Sequence, residues 1–166
     1  MLTKFYDDLE TRTVNERYSA ISKLLPAQIK NLQSLGGLKD IDADMINSVE
    51  DLYKLPVLRK SELTRMQQKK PPFGGLVRGP IEHIFQSPGP IYEPGKDTHD
   101  WWRFGRFLHA CGVGRSDIVQ NCFSYHLTPA GMMFENGAKA VGATILPAGT
   151  GQTELQVQAA FDVGAS

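Results

Sequence analysis

Charge of either sign is missing in surplus. Lys and Arg number 18, Asp and Glu number 18, and the formal net charge is zero. That balance argues against nucleic acid or an anionic membrane as the main partner. It also gives little colloidal protection, so a homodimer is an expectation. Cysteine is scarce: Cys111 and Cys122 are the only two. They stand in apolar stretches and read as reduced, buried thiols rather than a disulfide scaffold. No Cys-x-x-Cys pair accompanies His109 or His126, so no metal site is expected. No apolar run approaches the length of a membrane span, and Asp7 and Asp8 stand where a signal peptide needs apolar residues. A soluble, cytoplasmic protein is expected. Ser124 lies near His126 without a Gly-x-Ser-x-Gly elbow, which argues against a hydrolase.

Hydrophobic residues make up 41% of the 166-residue chain, enough for a packed core. Residues 1–12 read as an extended lead-in. Thr13 and Glu16 have capping-box spacing, and Val14, Tyr18, Ile21, Leu25, Ile29 and Leu32 recur at helical steps. Pro26 lies inside that stripe, so a kink or break near Leu25 is expected. Gly36-Gly37 ends the segment. Ser48 to Asp51 opens a short second helix, and a third is expected from about Lys60 to Gln68. The basic run Arg59, Lys60, Arg65, Lys69 and Lys70 reads as a solvated helix face. Residues 1–75 thus form a helical N-terminal subdomain.

Residues 76–166 read differently. Residues 81–86 alternate as a strand, and residues 85–95 are too rich in Pro and Gly for a helix. A helix is expected from Trp101 to Cys111, capped by Asp97 or Thr98 and ended by Gly112. Its Trp101, Trp102, Phe104 and Phe107 read as core with one edge contact. Ile118 to Phe123 is a short buried strand. A helix from about Pro129 ends at Gly142, Ala143 to Pro147 is a strand, and Gln152 to Phe161 is a helix. Strand, helix, strand, helix with short links specifies a parallel α/β sheet. So few parallel strands are normally part of a larger sheet, so the segment reads as the first βαβ units of a bigger domain.

Phe123, Tyr125 and His126 follow a strand at its carboxyl end, where open α/β sheets bind ligands. They read either as two aromatic walls with a polar contact, or as a packed turn with His126 satisfied by backbone. Gly149 to Gln152 precedes a helix and reads either as anion-facing backbone or as a plain strand-to-helix turn.

Four segments, taken in order, resemble phenylacetate–coenzyme A ligases of the AMP-forming, adenylate-forming superfamily: Leu55 to Leu63, Phe123 to Gly131, Gly137 to Gly142, and Pro147 to Gln156 with its Gly-Gln-Thr-Glu run. The resemblance is to their N-terminal part. It implies an enzyme that joins a small aromatic or acyl carboxylate to CoA through an acyl-adenylate, using ATP and Mg2+. The Phe123, Tyr125 and His126 segment then belongs by the acyl or adenylate pocket. The family's triphosphate loop, of the type Ser-Ser-Gly-Thr-Thr-Gly-Lys-Pro, falls on residues 87–94, where Ser87, Gly89 and Pro94 match. The departures matter. Pro88 and Pro90 lack N–H groups, Ile91 has no hydroxyl, and Glu93 stands where the family has a cation. At about 4 Å, reversing one charge turns an attraction of about 4 kcal/mol into a repulsion. The loop is degenerate as a phosphate cradle. No counterpart of the later adenine-binding segment, hinge or C-terminal domain is present, so the chain reads as a truncated ligase not competent alone. The alternative is a non-catalytic ligand-binding or interaction module on the same scaffold. No residue is singled out as catalytic.

Overall fold

The computed structural model describes residues 12–166, so the expected extended lead-in lies, but for its last residue, outside the described part. The described residues fall into two compact units. One comprises residues 12–80 with Gly89–Tyr92, the other Ile81–Pro88 with Glu93–Ser166.

The first unit is helical. Thr13 Oγ1 accepts the Glu16 N–H at 3.3 Å while the Glu16 carboxylate accepts the Thr13 N–H at 2.9 Å, and this capping box starts α1, Val14–Ser22. Pro26 can be accommodated only in a first turn, where its missing N–H has no intrahelical partner to lose. The chain therefore breaks and restarts as α2, Leu25–Ser34. Of the apolar stripe along these helices only Ile29 is fully buried; Val14, Tyr18, Ile21 and Leu32 are exposed. The core forms instead between Ile29 and the short turn Ala43–Met45, with Ala43 and Ile46 buried and Leu25, Leu38, Ile41 and Leu55 around them. Ser48 and Asp51 make a second reciprocal cap on the tight 3-10 helix Val49–Lys54. Helix α3, Lys60–Lys69, follows, with Arg59, Lys60, Arg65 and Lys69 exposed to water.

Gln67 is the buried polar residue of α3. Its Nε2 donates to the Tyr92 carbonyl at 2.7 Å and its Oε1 accepts the Tyr92 N–H at 2.8 Å. One side-chain amide thus stands in for a neighbouring strand.

The second unit carries the α/β fold. Strands β1, His83–Ser87, and β2, Ile91–Gly95, pair across a link too short for anything but a hairpin. Helix α4 spans Phe104–Ala110. It starts later than the expected Trp101, and its cap is neither Asp97 nor Thr98. Asp100 and Arg103 both take positive φ, which ends any helical path before Phe104, and Asp100 Oδ1 accepts the Gly105 N–H at 2.8 Å. Trp101 is consequently exposed beside Lys96, and Phe107 is exposed as well. Gly112 closes α4 in the left-handed region as expected.

Strand β3 is Ile118–Gln120, α5 is Ala130–Val141, β4 is Thr144–Leu146 and α6 is Thr153–Val163. β3 and β4 are parallel, with Val119 opposite Ile145. Leu108, Ala138, Val141 and Ala143 form the buried cluster, and Val113, Val119 and Ile145 pack on it. Gly137 lets α4 and α5 touch: a Cβ there would lie 2.8 Å from Phe104 Cβ and 3.1 Å from the Gly105 nitrogen. Side chains alternate across β3, so Val119 meets the α4–α5 layer while the Gln120 amide donates to the Gln156 carbonyl of α6 at 3.2 Å. Both cysteines are free and exposed, not buried. Cys111 falls in the turn that ends α4, and Cys122 lies past the end of β3, where Sγ meets the Gln120 amide and carbonyl at 3.7 and 3.9 Å.

Candidate functional site

β3 and β4 end side by side because they run parallel, and the chain leaves each through a loop at the same end. Asn121 holds these exits together. It is 3% exposed; its N–H donates to the Leu146 carbonyl at 2.9 Å and its carbonyl accepts from Gly149 at 2.9 Å. Its side-chain amide donates to the Tyr125 hydroxyl and the Gly131 carbonyl, both at 2.7 Å, and Oδ1 accepts the Phe123 N–H at 3.2 Å. Every polar atom of this side chain is therefore used inside the protein.

The network continues onto α5. Tyr125 bonds the Glu135 carboxylate, and Lys139 Nζ lies 2.6 Å from Glu135. Burial first, then the Glu135 carboxylate, pushes the Tyr125 hydroxyl up to about 12. Burial pushes Glu135 up, but the bonds from Lys139 and Tyr125 outweigh it and hold its carboxyl below the usual value. Gly131 sits under the Tyr125 ring, where a Cβ would be 2.8 Å from ring atoms and 2.7 Å from the Ser124 carbonyl.

A cleft of about 380 Å³ opens at this end of β3, lined by Leu108, Val119, Gln120, Asn121, Cys122, Phe123 and Phe134. No lining residue carries a charge. Phe123 stacks on Phe134 with centroids 4.3 Å apart, and Phe134 meets Phe104 edge-on at 4.8 Å. Of the three residues singled out in this segment, Phe123 forms a wall, Tyr125 turns inward to the Asn121–Glu135 network, and His126 is exposed outside the lining. A smaller cleft of about 160 Å³ lies at the end of β4 between Leu146, Ala148, Thr150 and α6. Gln156 braces the 149–151 turn by donating to the Gly149 and Gly151 carbonyls. Asn121, Glu135 and Gln156 escaped the sequence reading. The one signal available was a carboxamide inside an apolar strand, which demands partners.

Residues 87–94 do not suit a triphosphate. The Ser87 hydroxyl donates to the Glu93 carboxylate, so the one hydroxyl kept from the family pattern is already engaged, and by an anion. Gly89 has φ +144°, and Lys60 Cε lies 3.8 Å from where its Cβ would be. Pro88 and Pro90 lack the backbone donors that a phosphate cradle uses. Among the described residues no group of His, Cys, Asp and Glu could hold a metal ion, and no helix is long and apolar enough to cross a membrane.

No family model matches the chain. Its sequence is similar to phenylacetate-coenzyme A ligase of Aromatoleum evansii, 30% identical over 129 residues that make up 72% of this chain and 28% of that protein. The Thermus thermophilus enzyme of the same name is 29% identical over 70% of the chain, and the Escherichia coli one 26% identical over 92%. The chain spans 38% of the length of the E. coli protein. Solved structures of 2-hydroxyisobutyryl-CoA ligase share the fold. The complex with 2-HIB-AMP has a TM-score of 0.80 at 22% identity, covering 92% of this chain and 36% of that one. The open form with 2-HIB-AMP and CoA has a TM-score of 0.81 at 21% identity.

Proposed function

We propose, for a chain similar to the N-terminal portion of phenylacetate–coenzyme A ligases, that it is the acid-binding part of an AMP-forming acyl- or aryl–CoA ligase-like protein and does not complete that reaction alone. The observation that carries this reading is the uncharged aromatic cleft at the carboxyl ends of two parallel strands, walled by Phe123 and Phe134. An aryl or branched acyl group seats against Leu108, Val119 and Phe134. The exposed His126 is the polar group offered to its carboxylate. Asn121 and Glu135 act by fixing the loop that carries Phe123. ATP, Mg2+ and CoA belong to the complete reaction, and no step is assigned to residues 87–94, which do not fit a triphosphate. A boundary near residue 75 and a cytoplasmic location belong to the same reading.

One observation favours the second reading, a non-catalytic binding module: the Ser87–Glu93 bond fills the loop with a contact of its own. Hydroxylamine trapping with phenylacetate and Mg-ATP tests the first reading. No hydroxamate should form from this chain, while calorimetry should detect phenylacetate binding that Phe123→Ala weakens. Hydroxamate formation would refute the claim of incompleteness, and absence of acid binding would refute the cleft's role.

A further inference from the structure

The helical unit carries a second cleft, of about 360 Å³, that the acid-binding reading does not use. Its walls all come from residues 32–76, so it belongs to that unit alone. Leu32 of α2 and Leu38 just beyond it form one side, Val57 and Leu58 of the extended link after the 3-10 helix another, and Met66 of α3 a third. Leu38 takes φ +50°, a conformation that leucine rarely adopts. Gln33 holds it there: its Nε2 donates to the Leu38 carbonyl at 3.2 Å and also to the Ile41 carbonyl. Leu38 in turn packs on the buried Ile29, Ala43 and Ile46. The cleft is therefore braced from behind, as preformed ligand sites are. At its front Leu32, Val57 and Leu58 are exposed, an apolar patch that a bound molecule would remove from water.

Two features set the chemistry of that molecule. No aromatic ring lines the cleft, and its space equals that of about a dozen water-sized groups, which suits an aliphatic chain. The one charged lining residue is Glu62. Its Oε2 accepts the Arg59 N–H at 3.2 Å, and its Oε1 has no partner among the described residues. Arg59 and Lys60 beside it are exposed to water, where screening weakens their repulsion of a cation. We propose that this cleft binds an aliphatic primary amine, its chain against Leu38, Leu58 and Met66 and its ammonium on Glu62 Oε1. The same carboxylate disfavours an aliphatic acid by like charge, so the cleft is not a second place for an acid. The proposal does not depend on the acid-binding reading.

The test titrates octylamine, 1-octanol and octanoate separately into the chain, by calorimetry and by NMR of the leucine and methionine methyls. Octylamine should bind one-to-one and shift the methyls of Leu38, Leu58 and Met66. An exposed ion pair adds only modestly, so the amine should bind about two- to fivefold more tightly than the alcohol, with octanoate weakest. Glu62→Gln keeps an acceptor for the Arg59 N–H and should remove the amine's advantage over the alcohol. Val57 is 80% exposed, so Val57→Ser should leave the fold intact while weakening amine and alcohol alike. No binding, octanoate binding as tightly as octylamine, or an amine advantage that survives Glu62→Gln would each overturn the proposal. So would affinities unchanged by Val57→Ser, or shifts centred on Leu108 and Val119 instead. A concentration-dependent dimer that Val57→Ser dissolves would also overturn it, because a second copy would then be the occupant.

Discussion

A carboxamide inside an apolar strand costs free energy unless its amide is bonded, and Asn121 meets that condition through Tyr125, Gly131 and Phe123. Asn121→Ala leaves the Gly131 carbonyl and the Phe123 N–H without this partner. The expected loss is about 1–3 kcal/mol in urea unfolding. Tyr125 offers a sharper readout. Its folded value of about 12 lies above the ordinary 10.0, so its contribution to stability is complete below pH 10.0 and is lost as pH rises toward 12. Tyrosinate absorbance should show this side chain ionising near the upper value. Glu135→Gln should bring it down without restoring 10.0, because burial is the larger cause. Glu135 works in the opposite sense. Its folded value is lowered, so its contribution is present above the ordinary 4.5 and fades as pH falls through the depressed value. The segment 123–126 was legible in the sequence because it follows a strand. The roles within it were not: Asn121 reaches Gly131 and Tyr125 reaches Glu135 across gaps that no short-range pattern records.

Helix starts depend on local chemistry, and the elements that begin with a reciprocal cap were readable for that reason. Thr13 with Glu16, Ser48 with Asp51 and the restart at Pro26 all lie where their spacing puts them. The start of α4 was not readable, because it depends on positive φ at Asp100 and Arg103, a conformation that Asp takes fairly readily but Arg rarely does, and no local pattern marks it. The turn Ala43–Met45 also lacked a helical period, although it supplies Ala43 and leads into Ile46 of the helical core. Contact between α4 and α5 gives a test of competing terms. Gly137→Ala gains about 1 kcal/mol of helix propensity. It also drives a methyl to 2.8 Å from Phe104 Cβ and 3.1 Å from backbone, where overpacking costs about 1–3 kcal/mol. The clash involves backbone that cannot swing aside, so the variant should be net destabilised, with a lower midpoint in thermal unfolding.

Across the whole chain, the mixed α/β class followed from the alternation of strand and helix after residue 80, and the parallel register of β3 on β4 follows from the crossover through α5. Among the described residues each of the two small sheets has two strands, and α6 buries no residue fully, while Val157 and Phe161 are exposed. Such a sheet is normally covered and extended on both sides. The chain accounts for 28% of the A. evansii ligase and 36% of a fold neighbour. On the proposed reading this scaffold offers a place for an acid but not for the phosphates of ATP. Calorimetric titration of Mg-ATP tests it most directly. No saturable heat is expected, before or after Ser87→Ala. Saturable one-to-one binding that Ser87→Ala abolishes would show that residues 87–94 hold a triphosphate after all, and would contradict it.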